Sequence, residues 1–483
     1  MDITGPSWSQ WLSFVLTIST TFLLIYWKWR KDPLANFPGP KLAAWTRLYS
    51  VAIVLSGKEH IYLEEAHRKY GPVIRWQPNT LLVKDSTLLP KIYHLKQNKT
   101  PHYNHSPTEI KGIVEENDWA KHREKRRRLD PTLAPKAVYR NEGLVDLHVD
   151  NWISALRKFA NSNQIFDFSM WGNYLVLDIA SKTFFGKDLG MVQNGRDTIG
   201  LVKSASESRH IIHAFARVPE IKAQLFFNPL FSRFFIPRPG DGTAFGHVLK
   251  VRNEMYEERL NTRHRDPDHV GLDEVLFNEA NQPINHTEMK EDALFVLLGS
   301  SDTTGHALRM FVLNVSRHPE CLLRLRTEID HLFAGIQTTT GKIPALSQVK
   351  SMPYLAACIR ESLRHDPPIV SYLPRWVDQE EGLEVCGRRV PPGVQIAASP
   401  YTMSRDRGLY GEDVDYFRPE RFLEDPARAA KAARLDFTFG YGPRGCIGKH
   451  LSEMILAKTI VQVRYQSNDP AFIHHSIQGH RQH

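Results

Sequence analysis

The stretch that most constrains this chain is Phe437-Thr-Phe-Gly-Tyr-Gly-Pro-Arg-Gly-Cys446-Ile-Gly-Lys-His-Leu-Ser452. Gly440, Gly442, Gly445 and Pro443 crowd in front of one cysteine, so the backbone must bend tightly there. Beyond Cys446, the residues Ile447, Leu451, Met454 and Ile455 recur at helical spacing, which predicts a loop opening into a helix. The Cys446 sulfur would then face free N–H groups, a setting that stabilises a thiolate and lowers its pKa. Backbone amides brought close by the glycines would tune a metal–thiolate bond.

A lone thiolate is a poor zinc site, because structural zinc wants several Cys or His ligands together. One thiolate suits the axial position of a haem iron, where it pushes electron density toward the metal and favours O–O cleavage. The string Phe439-x-x-Gly442-x-Arg444-x-Cys446-x-Gly448 resembles the haem-binding signature of the cytochromes P-450, the haem-thiolate monooxygenases. The bland alternative, a buried cysteine on a helix-start loop, requires every fixed position of that string to match by accident. The resemblance implies a mainly α fold with small β-sheets (α+β). It also implies haem b (iron protoporphyrin IX) held on Cys446, with Phe439 and Arg444 among the cofactor-binding residues.

A chain of 483 residues can bury a large core, and its length alone suggests about two or three domains. With 42% apolar and 24% charged residues the composition is that of an ordinary globular protein. The net charge of +9 is modest for this length and no Lys/Arg tract alternates with aromatics, which argues against a nucleic-acid partner. Cys321, Cys358, Cys386 and Cys446 are too widely spaced to suggest a disulfide framework, and a reducing compartment is the simpler reading.

From Ile3 to Trp27 no residue is charged, long enough for a spanning helix of roughly 20 residues. Trp8, Trp11, Tyr26, Trp27 and Trp29 lie near its ends, as interfacial aromatics do, and Lys28, Arg30 and Lys31 place the following chain in the cytoplasm. A cleaved signal peptide is disfavoured because the positive charge follows the apolar run. Residues 1–31 are therefore expected to be a single-pass N-terminal transmembrane helix in the endoplasmic reticulum membrane, with a cytosolic catalytic domain over 42–463. Between them, the three prolines of residues 32–41 form a stiff hinge, similar to the proline-rich segment of microsomal P-450 proteins.

Tyr70–Trp76 and Thr80–Lys84 read as two short strands around a turn. Trp119 and Arg123 stand four apart on one helical face, and in the family this spacing supplies hydrogen bonds to a haem propionate. Lys121, His122, Lys125, Arg126, Arg127 and Arg128 form a basic run that reads equally as a solvated helix face or as a docking patch for an acidic electron donor. Residues 139–275 look mostly helical, as in Val145–Phe159 and Val248–Leu260. The aromatic, proline-broken stretches 210–219 and 225–237 resemble a mobile lid over a substrate pocket, with an ordinary packed helix pair as the alternative.

A long helix is expected over Glu288–Asn314, apolar through Ala293–Leu298 and then polar in Gly299-Ser-Ser-Asp-Thr-Thr-Gly305. Polar residues inside a buried helix compete for backbone hydrogen bonds and tend to open or bend it. The segment resembles the family's oxygen-activation motif, which implies Asp302 as acid and Thr303 as alcohol of a proton relay. Gly299-Ser300 stands where the family usually has Ala-Gly, a departure by which Ser300 would narrow the oxygen groove or add a donor. Glu361 and Arg364, three apart on a helix, match the family's Glu-x-x-Arg pair, and Arg421 its later arginine segment. Together they read as a structural geometry lock, since breaking a buried ion pair is costly. Arg375 lies on an expected strand, where the family often places an arginine on the other propionate.

After Val463 the family normally returns further strands, whereas residues 464–483 show no alternating pattern and read as an atypical solvated tail. The resemblance implies insertion of one oxygen atom from O2 into a small apolar organic substrate, in fungal-like secondary-metabolite biosynthesis by analogy. Electrons would come from NADPH through NADPH-cytochrome P-450 reductase, with cytochrome b5 as a second donor and membrane lipid as a contact. The alternatives are a haem-thiolate isomerase or dehydratase, and an inactive C-terminally truncated product.

Overall fold

Helical periodicity fills most of the chain, and helices accordingly carry the fold beside two small sheets. A computed structural model describes residues 11–13, 16, 19–20 and 32–466, except 95, 105–109, 163, 229, 263–270, 277–283, 336–342 and 379. Short helices open it: α1 (Lys41–Trp45), α2 (Leu48–Leu55) and α3 (Glu59–Tyr70). Strand β1 (Val73–Gln77) pairs antiparallel with β2 (Thr80–Val83), aligning Val73 with Val83 and Ile74 with Leu82. Helices α4 (Trp119–Leu133), α5 (Glu142–Ser162), α6 (Phe168–Phe185), α7 (Met191–Asn194), α8 (Leu201–Arg217), α9 (Pro219–Phe227) and α10 (Ala244–Asn261) follow. The long helix α11 (His286–Arg317) leads into α12 (Pro319–Gly335) and α13 (Pro353–His365). Strands β3 (Arg375–Trp376), β4 (Leu383–Val385), β5 (Arg388–Val390) and β6 (Gln395–Ala398) precede the final helix, α14 (Lys449–Gln466).

Helix α11 starts where Asn285 caps the amides of Thr287 and Glu288, and it runs through the middle of the main apolar core. Its neighbour α6 is apolar nearly all round and buried on most sides, as a helix inside a large core must be. The two approach so closely at Gly305 that a Cβ there would fall 2.2 Å from Asn173 Oδ1. Helix α14 buries Leu451, Met454, Ile455, Leu456 and Val461 in the same core, and its buried Lys458 reaches Glu142 (2.6 Å) and Asp146 (2.8 Å) of α5. One continuous core thus joins residues from Ile113 to Val461, so the length-based count of domains does not apply to it. The larger sheet has the order β1-β2-β6-β3, with β2 and β6 parallel and the other pairs antiparallel. Thus strand β6, with Ile396 and Ala398 fully buried, carries β3 and its Arg375 inward.

The helix expected over Glu288–Asn314 spans His286–Arg317 and stays helical through Gly299–Gly305 without a break. The polar residues there bond back along their own helix: Thr303 Oγ1 donates to the Gly299 carbonyl (2.7 Å) and Ser300 Oγ to that of Leu297 (3.0 Å). The final helix continues to Gln466, past the expected end at Val463. Among the described residues no helix is long and apolar enough to cross a membrane. Most of the expected 1–31 anchor and residues 467–483 of the tail lie outside the described residues.

Candidate active site

The cysteine loop owes its shape to two glycines with left-handed backbone. Gly440 has φ 73° and Gly442 φ 69°, and a Cβ on Gly442 would fall 2.2 Å from the Tyr93 carbonyl oxygen. The loop closes where Cys446 N–H donates to the Phe439 carbonyl (2.8 Å) and Gly445 N–H to that of Gly442 (2.9 Å). Phe439 is half-buried, with the Lys449 ammonium 5.4 Å from its ring centre. The Cys446 residue is open to solvent although protein walls its sulfur closely, the environment of a group lining a recess. Burial pushes its thiol pKa up, against the opposing pulls of the Gly448 N–H, Arg126 and Lys449. The lowered value expected from the sequence is therefore corrected: desolvation of a thiolate outweighs the amides and cations near it.

A second feature is a buried group of cations drawn from separate segments. Arg375 is 4% exposed, lies over the rings of Tyr93 and Tyr103, and donates to the Tyr103 hydroxyl. Arg444 donates to the carbonyls of Glu116 (2.7 Å) and Asn117 (2.8 Å), and Lys99 to that of Val114 (2.6 Å). Burial, with Arg375 beside it, lowers the Arg444 pKa to about 10. Burial, followed by Arg375 and Arg444, drives that of Lys99 well down. The pKa of His122 falls to about 2 through burial and then Arg444, Lys99, Arg126 and Arg375. Among the described residues none of Lys99, Arg375 and Arg444 has a carboxylate within ion-pair distance. Glu115, Glu116 and Asp118 act on the cluster only from beyond ion-pair distance, and buried like charges so weakly compensated are costly, a setting that favours an anion.

The structure does not bring Arg123 into that cluster. Its guanidinium lies over the Trp119 ring (5.8 Å) and the residue is exposed on α4. His122 and Arg126, also four apart and one turn further on, face the cysteine loop instead. Arg126 donates to the Gly445 carbonyl (2.6 Å), while His122 is buried beside Arg444. The same (i, i+4) criterion fits both pairs, and only packing separates them.

On α11, Asp302 pairs with Arg209 of α8 (2.7 Å), both side chains being partly exposed. Thr304 donates to Ser452 Oγ (3.0 Å), tying α11 to α14 just beyond the cysteine loop. The Glu361 carboxylate is fully buried between Arg364 (2.7 Å) and Arg421 (3.1 Å) and also accepts from Arg418 N–H (2.8 Å). Arg364 donates further to the carbonyls of Ser404 and Val414. Arg421 reaches Asp413 (2.7 Å), a counter-charge that no spacing in the sequence singled out. Arg209, Lys99, Asp413 and Glu116 all reach their partners across more than a local turn of chain, which is why a motif search passes over them.

The recessed cysteine and the anion-seeking cluster fit a haem: its iron takes one thiolate, and its two propionates match buried cations that lack carboxylates. Loop and cluster together define a haem-thiolate class of protein. The chain belongs to the cytochrome P450 family, whose model matches residues 38–463. It is an oxidoreductase of the monooxygenase type that this family comprises. Quiannulatic acid synthase of Emericella variicolor is 28% identical over 90% of this chain and 86% of its own length. Cytochrome P450 monooxygenase cicH of Emericella nidulans is 28% identical over 90% of the chain and 88% of its own. The larger mpaDE of Penicillium roqueforti is 29% identical over 88% of the chain but 51% of its own length.

Proposed function

We propose that this chain inserts one oxygen atom of O2 into an apolar organic substrate of a fungal secondary-metabolite route, with electrons from NADPH through a partner reductase. The observation that carries the reading is the recessed Cys446 together with the buried cations Lys99, Arg375 and Arg444, none of which has a carboxylate within ion-pair distance among the described residues. Cys446 would hold haem iron, while Arg375, Arg444, Lys99 and His122 would surround the propionates and Phe439 would pack near the thiolate. Bound haem supplies the activation of dioxygen. Fungal relatives, one of them named an acid synthase, support oxidation of a specialised metabolite. In the membrane fraction with NADPH-cytochrome P-450 reductase, label from 18O2 is expected in the product; label from water, or turnover without NADPH, would overturn the reading.

Removing one propionate partner tests how the cofactor is held. Arg444→Leu is expected to weaken haem retention about tenfold or more, since a charge-assisted hydrogen bond contributes about 1.5–3 kcal/mol. Haem per protein after gel filtration measures it, and full retention by the variant would remove Arg444 from the cofactor site.

Proton delivery would fall to Asp302 and Thr303. The Asp302 carboxylate is partly exposed and held by Arg209 of α8, so release of that pair would free it to pass protons inward. The Thr303 hydroxyl, now on the Gly299 carbonyl, would need only to rotate about χ1. Thr303→Ala and Asp302→Asn are expected to keep haem while diverting most NADPH electrons to peroxide. Unchanged coupling of NADPH to product in both variants would dismiss the relay.

Exposed Lys121, Arg123 and Arg127 on α4 suit an acidic reductase or cytochrome b5. Leu42, Trp45 and Leu48 are exposed, as are Ile221, Leu230, Phe231 and Phe234, and the Arg47–Glu220 pair (2.5 Å) ties the two regions together. That apolar face suits contact with lipid on the cytosolic side of the endoplasmic reticulum, beside an anchor in residues 1–31. Deleting 1–31 is expected to leave a residual membrane-bound fraction that the further changes Trp45→Ser and Phe234→Ser release. Complete release by the deletion alone would argue against the second contact.

A further inference from the structure

On α5, α6 and the segment leading into α7, three metal-capable side chains meet. His148, Asp178 and Asp188 place one ligand atom each within 4.8 Å of one another. His148 and Asp178 are 6% and 2% exposed, while Asp188 is at the surface. Asp178 accepts from the amides of Met191 (3.1 Å) and Val192 (2.9 Å), and Asp188 from that of Gly190 (3.1 Å). Those bonds orient the carboxylates and leave further lone pairs on each.

The imidazole is the informative member. His148 is more than nine-tenths buried, yet among the described residues it makes no hydrogen bond and no ion pair within 4 Å. Neither ring nitrogen is among the fully buried polar atoms left without a partner, so the ring still reaches solvent and an ion arriving from it. The cation acting on it, Lys182, is turned to the Gly186 carbonyl (3.1 Å).

We propose that His148, Asp178 and Asp188 bind a divalent cation of the zinc class, with water completing a tetrahedral set. Tetrahedral zinc bonds of about 2.0–2.2 Å space the ligand atoms about 3.3–3.6 Å apart, so the cluster needs to contract by up to roughly 1.5 Å, within reach of side-chain rotation. Two carboxylates and a neutral imidazole balance a double positive charge. Calcium prefers six to eight oxygen ligands, which this mixed set does not offer. The ion joins α5, α6 and the start of α7, and it stabilises the native state by binding it selectively.

The test uses the full-length, haem-loaded protein, chelator-treated and dialysed against zinc chloride. Wild type is compared with His148→Gln and with Asp188→Asn, the latter a surface change that leaves the buried Asp178 in place. Wild type is expected to hold one zinc more per chain than either variant by elemental analysis. Zinc should also raise the unfolding temperature of wild type by a few degrees and leave the variants unmoved. Other histidines, including His474, His475, His480 and His483, are common to all three proteins and cancel in the difference. Equal zinc content and equal shifts across the set would overturn the site; should His148→Gln misfold, Asp188→Asn decides alone.

Discussion

Cys446→Ser is expected to abolish the far red-shifted Soret band of the reduced, carbon-monoxide-treated protein and all oxygen insertion. Serine is nearly isosteric, and the bond from Cys446 N–H to the Phe439 carbonyl does not involve the side chain, so the loop should keep its shape. What changes is acidity. The fold by itself raises the thiol pKa through burial, so deprotonation of the sulfur would fall to the haem iron that Cys446 is proposed to hold. A hydroxyl starts several units higher and donates far less electron density. The spectrum is read at equal haem content; a Cys446→Ser variant that kept the thiolate band would place the axial ligand elsewhere.

Glu361→Gln should have the largest effect on folding. Its carboxylate is fully buried and answers two guanidiniums, Arg364 and Arg421, while also capping Arg418 N–H. Neutralising it leaves Asp413 as the remaining acidic partner of Arg421 and none for Arg364 among the described ion pairs. Breaking a buried pair costs about 3–5 kcal/mol, against a total stability of about 5–15 kcal/mol. We expect mostly insoluble or haem-free protein, with a clearly lower unfolding temperature in whatever folds. The control is Arg324→Leu, which removes a pair to Glu420 in which Arg324 is 56% exposed and should cost at most about 1 kcal/mol. Equal haem content and melting for Glu361→Gln and wild type would refute the lock.

How legible these features were in the chain depended on how locally each is encoded. The loop at Cys446 follows from glycines and a cysteine within ten residues, because positive φ at Gly440 and Gly442 is a property of those positions. Strands β1 and β2 are equally local, being two apolar runs about a turn. The pair on α4 was legible only as a spacing: Trp119/Arg123 and His122/Arg126 satisfy it alike, and the approach of the cysteine loop selects the second. The polar run in α11 suggested an opened helix, yet the hydroxyls of Ser300 and Thr303 bond back to their own turn and the helix persists. Neither the Arg209–Asp302 pair nor the role of Asp413 has any local signature.

The sequence alone determined the glycine-bent cysteine loop, the helix behind it and the long central helix with its polar run. Short-range backbone limits and side-chain periodicity specify such features, and both act over a few residues. Tertiary structure decided which cations gather. Arg444 reaches the Glu116 carbonyl across 328 residues of chain, and Lys99 meets Arg375 through a single β-bridge. The energy of buried charges depends on what desolvates them and what stands beside them, and a spacing pattern carries neither. The same cause set the Cys446 thiol: local motifs place amides beside it, but the surrounding fold removes water and tips its pKa upward.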